Sequence, residues 1–280
     1  MKARAQFRAD AHFKLDEDQA GAVRLGAAAK NGDPELSKAQ AKALDQEHTL
    51  ALTAQIEQCQ AMLYAERKRK VLLILQGMDT SGKDGTVKAM FSHINPMGIR
   101  AVAFKAPTGV ELAHDYLWRV HQQVPGLGEI AIFNRSHYED VLISRVQGWI
   151  DKKECARRYA QIRDFERMLS ETGTVIVKVL LHISKDEQRL RLQERLDDPD
   201  KQWKFDPNDI AQRALWSDYQ RAYQQAIQET DADHAPWYVV PANSKTQRNL
   251  AVASLLLETL QGMKLAFPPP DPKLSAYRVE

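Results

Sequence analysis

The run from Val71 to Asp84 constrains the fold of this chain more than any other stretch. Its first part, Val71 to Leu75 (VLLIL), is short and wholly apolar, which is typical of a buried parallel strand. The run continues as GMDTSGKD from Gly77 to Asp84, with the spacing G-x-x-x-x-G-K of a phosphate-binding loop. Backbone N–H groups of such a loop converge on phosphate oxygens at a helix N-terminus. The stretch therefore predicts a strand, a phosphate loop and a helix, in that order.

Four further apolar runs have the length and composition of strands. They are Ala101 to Phe104, Ile130 to Phe133, Thr174 to Ile183 and Trp237 to Val240. Helix-length connections separate them, which predicts right-handed βαβ units and an α/β fold with a parallel sheet flanked by helices. Ligands of such folds bind at the carboxyl ends of the strands, so the functional residues are expected there.

Composition narrows the range of functions. The 39 basic and 37 acidic residues leave a net charge of +2, which disfavours a general nucleic-acid binder. Cys59 and Cys155 are far apart and have no metal-ligand spacing, as expected in a reducing compartment. No apolar run approaches the roughly 18 to 20 residues that span a bilayer. We expect a cytoplasmic protein with no nucleic-acid or membrane partner.

Two acidic residues of the phosphate loop are candidate Mg²⁺ ligands. Asp84 stands where Ser or Thr normally supplies a hydroxyl to the metal, and Asp79 lies inside the loop. Carboxylates are hard oxygen ligands, so the two side chains together are expected to hold Mg²⁺. As alternatives, Asp84 complements the helix dipole and Asp79 orients an acceptor phosphate.

A second group of polar residues begins where the strand Ile130 to Phe133 ends. Arg135 at this edge is placed to bind phosphate oxygens with its planar guanidinium. Glu139 is a candidate metal or substrate ligand, although Ser136 and Glu139 also have the spacing of a helix capping box. The loop from Lys105 to Thr108, after the second strand, is either part of an acceptor site or a plain turn.

The segment from Ser184 to Tyr219 has helix signals on both sides of a turn at Asp197-Asp198-Pro199. Its basic residues either form a solvated, salt-bridged face or close over bound phosphates. We favour a lid, because the segment follows the fourth strand and a lid excludes water. The cations concerned are Arg189, Arg191, Arg195, Lys201 and Lys204.

These motifs together resemble those of the family 2 polyphosphate kinases. The resemblance rests on GMDTSGKDG from Gly77 to Gly85, FNRSHYED from Phe133 to Asp140, and KQWK from Lys201 to Lys204. It implies a thymidylate-kinase-like P-loop kinase fold and phosphoryl transfer between inorganic polyphosphate and AMP or ADP, with ATP as a product. Asn134 stands where other members carry Asp; together with Glu139, it resembles the class that accepts both AMP and ADP.

The sequence patterns, together with the resemblance, predict a division of the chain and a set of site residues. Residues 1–69 would be an arm and a helix packed on the core, 70–264 the P-loop kinase domain with its lid at about 185–220, and 265–280 an extended Pro-rich tail. The catalytic residues would be Asp79, Lys83, Arg135 and Arg195, and the metal ligands Asp79, Asp84 and Glu139. Phosphate and nucleotide would be bound by Gly77, Met78, Thr80, Ser81, Gly82, Lys83, Asp84, Gly85, Lys105, Thr108, Arg135, Lys201 and Lys204.

Two other functions remain open on the sequence. One is an ATP-dependent nucleoside or nucleotide kinase, although such enzymes carry Ser or Thr at the position of Asp84. The other is a P-loop module that binds nucleotides or polyanions without turnover. A homo-oligomer is a further expectation from the family.

Overall fold

A parallel sheet forms the centre of this computed structural model, which describes residues 3–10, 12–25 and 37–279. Its strands are β1 (Lys70–Gln76), β2 (Ile99–Ala103), β3 (Ile130–Asn134), β4 (Thr174–His182) and β5 (Trp237–Pro241). They are arranged in the order β2-β3-β1-β4-β5, and every pair is parallel. Strand β1 lies at the centre, which explains why its sequence is apolar throughout. The predicted α/β fold is confirmed.

Helices connect the strands and flank the sheet. Among the described residues they are α1 (Ala3–Phe7), α2 (Lys38–Glu66), α3 (Lys83–Phe91), α4 (Gly109–Leu112), α5 (Trp118–His121), α6 (Ile143–Val146), α7 (Lys152–Glu171), α8 (Lys185–Asp197), α9 (Pro207–Ala214), α10 (Trp216–Thr230) and α11 (Lys245–Gly262). Helix α11 packs against α2 and α3, while α10 packs against α7. No helix among the described residues is both long and apolar enough to cross a membrane.

The second strand differs from its prediction by a shift of position. Strand β2 begins at Ile99, directly after Gly98 with its positive φ of 82°, and ends at Ala103 rather than Phe104. Phe104 N still donates to Asn134 O at 3.1 Å, so pairing continues one residue further before the chain turns away. The shift arises because β2 is an edge strand with partly exposed side chains. The ends of such a strand cannot be located from a run of apolar residues alone.

The described part of the N-terminal arm lies along β5. Arg8 forms an antiparallel bridge with Tyr238, and Ala9 N donates to Trp237 O at 2.9 Å. Residues 26–36 of the predicted arm lie outside the described residues. Helix α2 then begins after Ser37, whose side chain and that of Gln40 form a capping box. In the C-terminal tail, a short 3₁₀ helix (Pro272–Ala276) interrupts the otherwise irregular chain.

A buried ionic network lies behind the carboxyl end of β3. Lys178 Nζ contacts Glu166 Oε2 at 2.6 Å, and both side chains are almost completely buried. The same Nζ donates to Tyr138 Oη at 3.0 Å and to Thr230 O at 2.8 Å. His137 Nε2 lies 3.2 Å from Glu166 Oε1. The network ties the 3₁₀ helix His137–Asp140, which begins two residues after Arg135, to β4, α7 and α10.

Candidate active site

The phosphate loop leaves β1 in a conformation that its sequence permits. Gly77 and Gly82 have φ values of 148° and 99°, and a Cβ on Gly77 would lie 2.6 Å from the Leu181 carbonyl oxygen. Thr80 also has a positive φ, of 66°, which is unusual for a residue other than glycine. Gly82 is the N-cap residue of α3, so the helix that the sequence predicts after the loop begins at Lys83. The loop therefore presents the N-terminus of α3 to the carboxyl edge of the sheet.

A cleft of about 600 Å³ lies over this loop. Its walls come from the phosphate loop, the ends of β2 and β3, the lid segment and the start of α11. The lining contains nine basic and five acidic residues, so positive charge is concentrated in a molecule that is nearly neutral. The lining residues are Asp79, Thr80, Gly82, Lys83, Asp84, Gly85, Ala103, Phe104, Lys105, Ala106, Asn134, Arg135, Arg191, Glu194, Arg195, Lys201, Lys204, Asp206, Asp209, Lys245 and Arg248.

Lys83 lies at the base of this cleft. Its Nζ donates to Gly77 O at 2.7 Å and Met78 O at 3.3 Å, and only 8% of the residue is exposed. Burial lowers the pKa of Lys83, as does the charge of Arg135, and the nearby carboxylates oppose the shift. The ammonium group is thus held by backbone carbonyls inside the loop, from which it can turn to a phosphate oxygen.

Arg135 and Asp79 form an ion pair across the cleft. Arg135 Nη2 donates to Asp79 Oδ1 at 2.6 Å. Burial lowers the pKa of Arg135, but the carboxylates of Glu139 and Asp79 outweigh it and raise the pKa overall. The backbone of Arg135 has a φ of 64°, and strained residues of this kind concentrate at functional sites.

Asp84 and Asn134 face each other at the mouth of the loop, where Asn134 Nδ2 donates to Asp84 Oδ1. Within the described ranges, no three His, Cys, Asp or Glu residues come together as a metal cluster. Asp79 and Asp84 nevertheless line the same cleft. Mg²⁺ is commonly bound by one or two carboxylates together with substrate phosphates, so this pair fits the ion.

Glu139 lies beneath the cleft rather than in its lining. In the amide orientation that satisfies both neighbours, the Gln76 nitrogen donates to Glu139 Oε1 at 3.0 Å and the Gln76 oxygen accepts from Ser136 Oγ. Burial raises the pKa of Glu139, and Arg135 and Lys83 oppose that rise. Ser136 does cap the short 3₁₀ helix His137–Asp140, but its side chain accepts from Tyr138 N rather than Glu139 N. The carboxylate of Glu139 thus faces the loop side of the sheet.

The predicted lid contains α8, the 3₁₀ helix Gln202–Lys204 and α9. Arg195 Nη1 donates to Lys204 O at 3.0 Å and Asp209 Oδ2 at 3.2 Å. Burial and the charge of Asp79 raise the pKa of Asp209 to about 6, while Arg195 opposes the rise. Arg195, Lys201 and Lys204 all line the cleft, as the sequence predicts for cations that close over phosphates.

Four predicted phosphate-binding residues lie outside the lining. Gly77, Met78 and Ser81 form the buried back of the loop. Thr108 is exposed, and its side chain accepts from Glu111 N as the N-cap of α4. Of the predicted loop from Lys105 to Thr108, only Lys105 and Ala106 reach the cleft.

Several cleft residues are not identified by the sequence motifs. Lys245 and Arg248 line the cleft although they lie outside the predicted phosphate loop, strand ends and lid. Glu194 and Asp209 also line it, although the lid was predicted to contribute only its cations. The sequence places Arg191 only in the lid, yet its Nη1 donates to Thr80 O at 2.8 Å and its Nη2 to Ala242 O at 2.6 Å. Lys245 and Arg248 could have been identified as cleft residues by their position in the sequence. They lie in the first turn of the helix that follows β5, and therefore near the carboxyl edge of the sheet.

The fold and the site define a P-loop phosphotransferase. A parallel sheet delivers a glycine-rich loop, its lysine and the guanidinium of Arg135 to one cleft, and the lid adds Arg195. Phosphoryl transfer requires such a convergence of cations. Sequence comparison then identifies the family, because the model of the Polyphosphate kinase 2 family matches residues 39–268. The chain belongs to the polyphosphate kinase 2 family.

Individual relatives agree with this assignment. The AMP/ADP-polyphosphate phosphotransferase of Meiothermus ruber is 54% identical over 220 residues, covering 79% of this chain and 82% of that protein. The ADP-polyphosphate phosphotransferase of Rhodopseudomonas palustris is 43% identical over 225 residues, covering 76% and 78%. The crystal structure of polyphosphate kinase 2 from Arthrobacter aurescens TC1 superposes with a TM-score of 0.87 at 45% identity, covering 99% of this chain and 95% of that one. The predicted family and P-loop kinase fold are confirmed.

Proposed function

We propose that this chain transfers the terminal phosphoryl group of inorganic polyphosphate to AMP and ADP, reversibly and with Mg²⁺. The names of relatives at 54% and 43% identity support polyphosphate as the phosphate source and AMP or ADP as acceptors. They do not favour the ATP-dependent kinase or the binding module. ATP formed from ADP would be the final product.

The convergence of cations from separate elements is the observation that carries this proposal. Lys83 comes from the phosphate loop, Arg135 from the end of β3 and Arg195 from the lid, and all three line one cleft. A phosphate chain carries negative charge along its whole length, so it requires positive groups on more than one side. Lys201 and Lys204 extend the positive surface along the lid.

Transfer requires in-line placement and charge neutralisation more than covalent chemistry. A phosphate oxygen of the acceptor nucleotide attacks the terminal phosphorus, and the bond to the bridging oxygen of the shortened chain breaks. Lys83 and Arg135 stabilise charge on the transferred group, and Arg195 approaches from the lid after leaving Asp209. No side chain need act as a nucleophile.

Asp79 and Asp84 would hold Mg²⁺ in this reaction. The bound ion would neutralise phosphate oxygens and fix their orientation. Asn134 orients Asp84 through its side-chain amide, and Arg135 holds Asp79 until phosphate replaces that partner. Glu139 would have to release Gln76 before it joined them as a ligand.

The acceptor nucleotide would occupy the half of the cleft beside β2 and β3. Lys105 lies there, and Arg119 Nη1 donates to its carbonyl oxygen at 2.8 Å, which fixes the turn. Thr108 would contribute only if the segment after β2 moved, because its hydroxyl caps α4. Residues 185–220 would form the lid that closes on this half of the cleft.

We also propose that the chain works as a homo-oligomer in the cytoplasm, where AMP, ADP and polyphosphate meet as soluble substrates. Its near-neutral net charge and locally basic cleft support small polyanions, rather than nucleic acids or membranes, as partners. Light scattering at several protein concentrations would test the oligomer.

The decisive experiment mixes the purified chain with Mg²⁺, inorganic polyphosphate and either AMP or ADP, and follows ADP and ATP by chromatography. Consumption of AMP and formation of ATP from ADP are expected. A parallel mixture of ATP and nucleoside tests the alternative phosphate source. Turnover in that mixture alone would replace polyphosphate by ATP, and no turnover in any mixture would favour the binding module.

A further inference from the structure

Arg248 lies beneath the phosphate loop at the start of α11. It is only 3% exposed, yet it lines the cleft. Its guanidinium fits closely against Gly82 of the loop and Gly85 of α3. A Cβ on Gly82 would overlap Nη1, and a Cβ on Gly85 would lie 3.3 Å from Nη2. The two glycines therefore leave room for a buried cation as well as for phosphate.

The hydrogen bonds of Arg248 are all to neutral groups. Nη1 donates to Ser81 O at 3.3 Å, and Nε and Nη2 donate to Asn249 Oδ1 at 3.1 and 2.8 Å. A guanidinium has five N–H donors, so these three bonds leave two N–H groups without a partner among the described residues. No Asp or Glu of the described ranges forms an ion pair with Arg248, although its neighbour Arg191 pairs with Glu187 at 2.7 Å.

The charge of Arg248 is consequently uncompensated. Burial lowers its pKa to about 10, and the positive charge of Arg191 adds to the effect. A buried charge without a partner destabilises a fold, and such charges are normally paired or bound to ligand. The side chain lines the cleft beside the phosphate loop, where a bound phosphate chain would supply an anionic partner.

We propose that Arg248 is a phosphate-binding residue whose counter-ion is the bound phosphate chain. The proposal rests on the proposed function, because the chain must bind polyphosphate. Arg191 has a different role, since it is paired with Glu187 and fixes the loop by holding the carbonyl oxygens of Thr80 and Ala242. The two adjacent guanidiniums thus have different roles. Arg191 holds the loop in shape, and the charge of Arg248 is neutralised by the bound phosphate.

If Arg248 binds phosphate in this way, its replacement should affect stability and phosphate binding in opposite directions. Arg248→Met removes an unpaired buried charge, so the melting temperature without ligand is expected to stay the same or rise. The same change removes charge-assisted hydrogen bonds to phosphate and should weaken binding of tripolyphosphate about tenfold or more. A residue that only supports Ser81 would behave in the reverse way, with lower stability and unchanged binding.

Thermal unfolding with and without inorganic tripolyphosphate tests the proposal on the full chain. The variants are Arg248→Met, Arg248→Lys, which keeps the charge, and Arg221→Met, which removes an exposed charge on α10. Wild type, Arg221→Met and, in part, Arg248→Lys should be stabilised by tripolyphosphate. Arg248→Met should lose most of that stabilisation.

Three results would overturn the proposal. Equal stabilisation of wild type and Arg248→Met would remove Arg248 from the binding site and leave the proposed function intact. A loss of ligand-free stability or of folding in Arg248→Met would make the residue a structural support. Absence of any tripolyphosphate effect on wild type would instead count against polyphosphate binding itself.

Discussion

Arg135 Nη2 lies 2.6 Å from Asp79 Oδ1, so the guanidinium at the end of β3 is already held against the phosphate loop. The pair is partly exposed, with 40% of the Arg135 side chain accessible. An exposed ion pair contributes little to stability, which makes its geometry more informative than its energy. In the proposed reaction, phosphate oxygens would replace Asp79 as the partner of this guanidinium.

Replacing Arg135 by Lys is expected to lower kcat by about 10²-fold, the scale for losing one preorganised contact to the transition state. Lysine keeps the charge but loses the planar fork that binds two phosphate oxygens. Steady-state kinetics with polyphosphate and ADP would measure the change. Arg100→Lys is the control, because Arg100 lies near the start of β2 and outside the cleft lining. A similar loss of kcat in both variants would contradict a phosphate-binding role for Arg135.

Lys83→Met should abolish transfer while leaving the fold intact. The ammonium group now binds the carbonyls of Gly77 and Met78, and methionine fills the same space without a charge for the transferred phosphoryl group. Burial lowers the pKa of Lys83, so removal of the amine should not weaken the fold strongly. Activity and circular dichroism melting would be compared with Lys88→Met, an exposed position on α3. Activity near the wild-type level would remove Lys83 from the reaction.

Asp209→Asn should stabilise the ligand-free protein more at pH 7.5 than at pH 5. The pKa of Asp209 is about 6 in the folded state, above its ordinary value of 3.8. Between these two pH values, the folded state therefore holds a proton that the unfolded state has lost. Stability is therefore lost as pH rises through that window, and the amide avoids the loss. We expect a gain in Tm of roughly 2 to 4 °C at pH 7.5.

Melting curves at both pH values would measure this effect, with Asp218→Asn on the exposed face of α10 as the control. The charge of Asp79 raises the Asp209 pKa and that of Arg195 lowers it, so both must be intact in the comparison. A gain that is the same at pH 5 and 7.5 would show that the amide acts through packing or hydrogen bonding instead.

The strands and the phosphate loop were predictable because each depends on local sequence. The apolar run of β1, the glycines of the loop and the capping residue Asp206 of α9 determine their conformations within a few neighbours. Lys83 followed from the G-x-x-x-x-G-K spacing of the loop, and Arg135 from its position directly after the third apolar run. Parallel strands bring such positions to one edge whatever the rest of the chain does.

Contacts between distant segments were not predictable. Arg248 lies 167 positions from Ser81, whose carbonyl accepts its hydrogen bond. Its position after β5 indicates the carboxyl edge of the sheet, but not this contact with the phosphate loop. Glu139 has the spacing of a capping box with Ser136, but its carboxylate accepts a hydrogen bond from the Gln76 amide instead. The hydrogen-bond partners of these side chains depend on which buried groups lie next to them in the folded protein. Sequence alone does not give those neighbours, because they come from distant segments.

Lys178→Met should lower the free energy of unfolding by about 3–5 kcal/mol, because Glu166 would remain buried without its cation. The double variant Glu166→Gln with Lys178→Met removes both charges and is expected to recover much of the loss. Urea unfolding would measure both. Arg167→Met, in an exposed ion pair on α7, should cause no measurable change. If the double variant were no more stable than the single one, the cost would lie in packing rather than in charge.

Asp84→Asn should raise the Mg²⁺ concentration for half-maximal activity by about 10-fold or more, the scale on which changes around a metal site alter affinity. The carboxylate lines the cleft beside Asp79, and Asn134 orients it from β3. An amide keeps the shape of the side chain but lacks the charge that makes a carboxylate a strong Mg²⁺ ligand. Mg²⁺ titrations of initial rate would measure the shift, with Asp186→Asn, exposed in the first turn of α8, as the control. An unchanged Mg²⁺ curve with a lower Tm would instead assign Asp84 to the dipole of α3, since a charge in the first turn stabilises a helix without any metal.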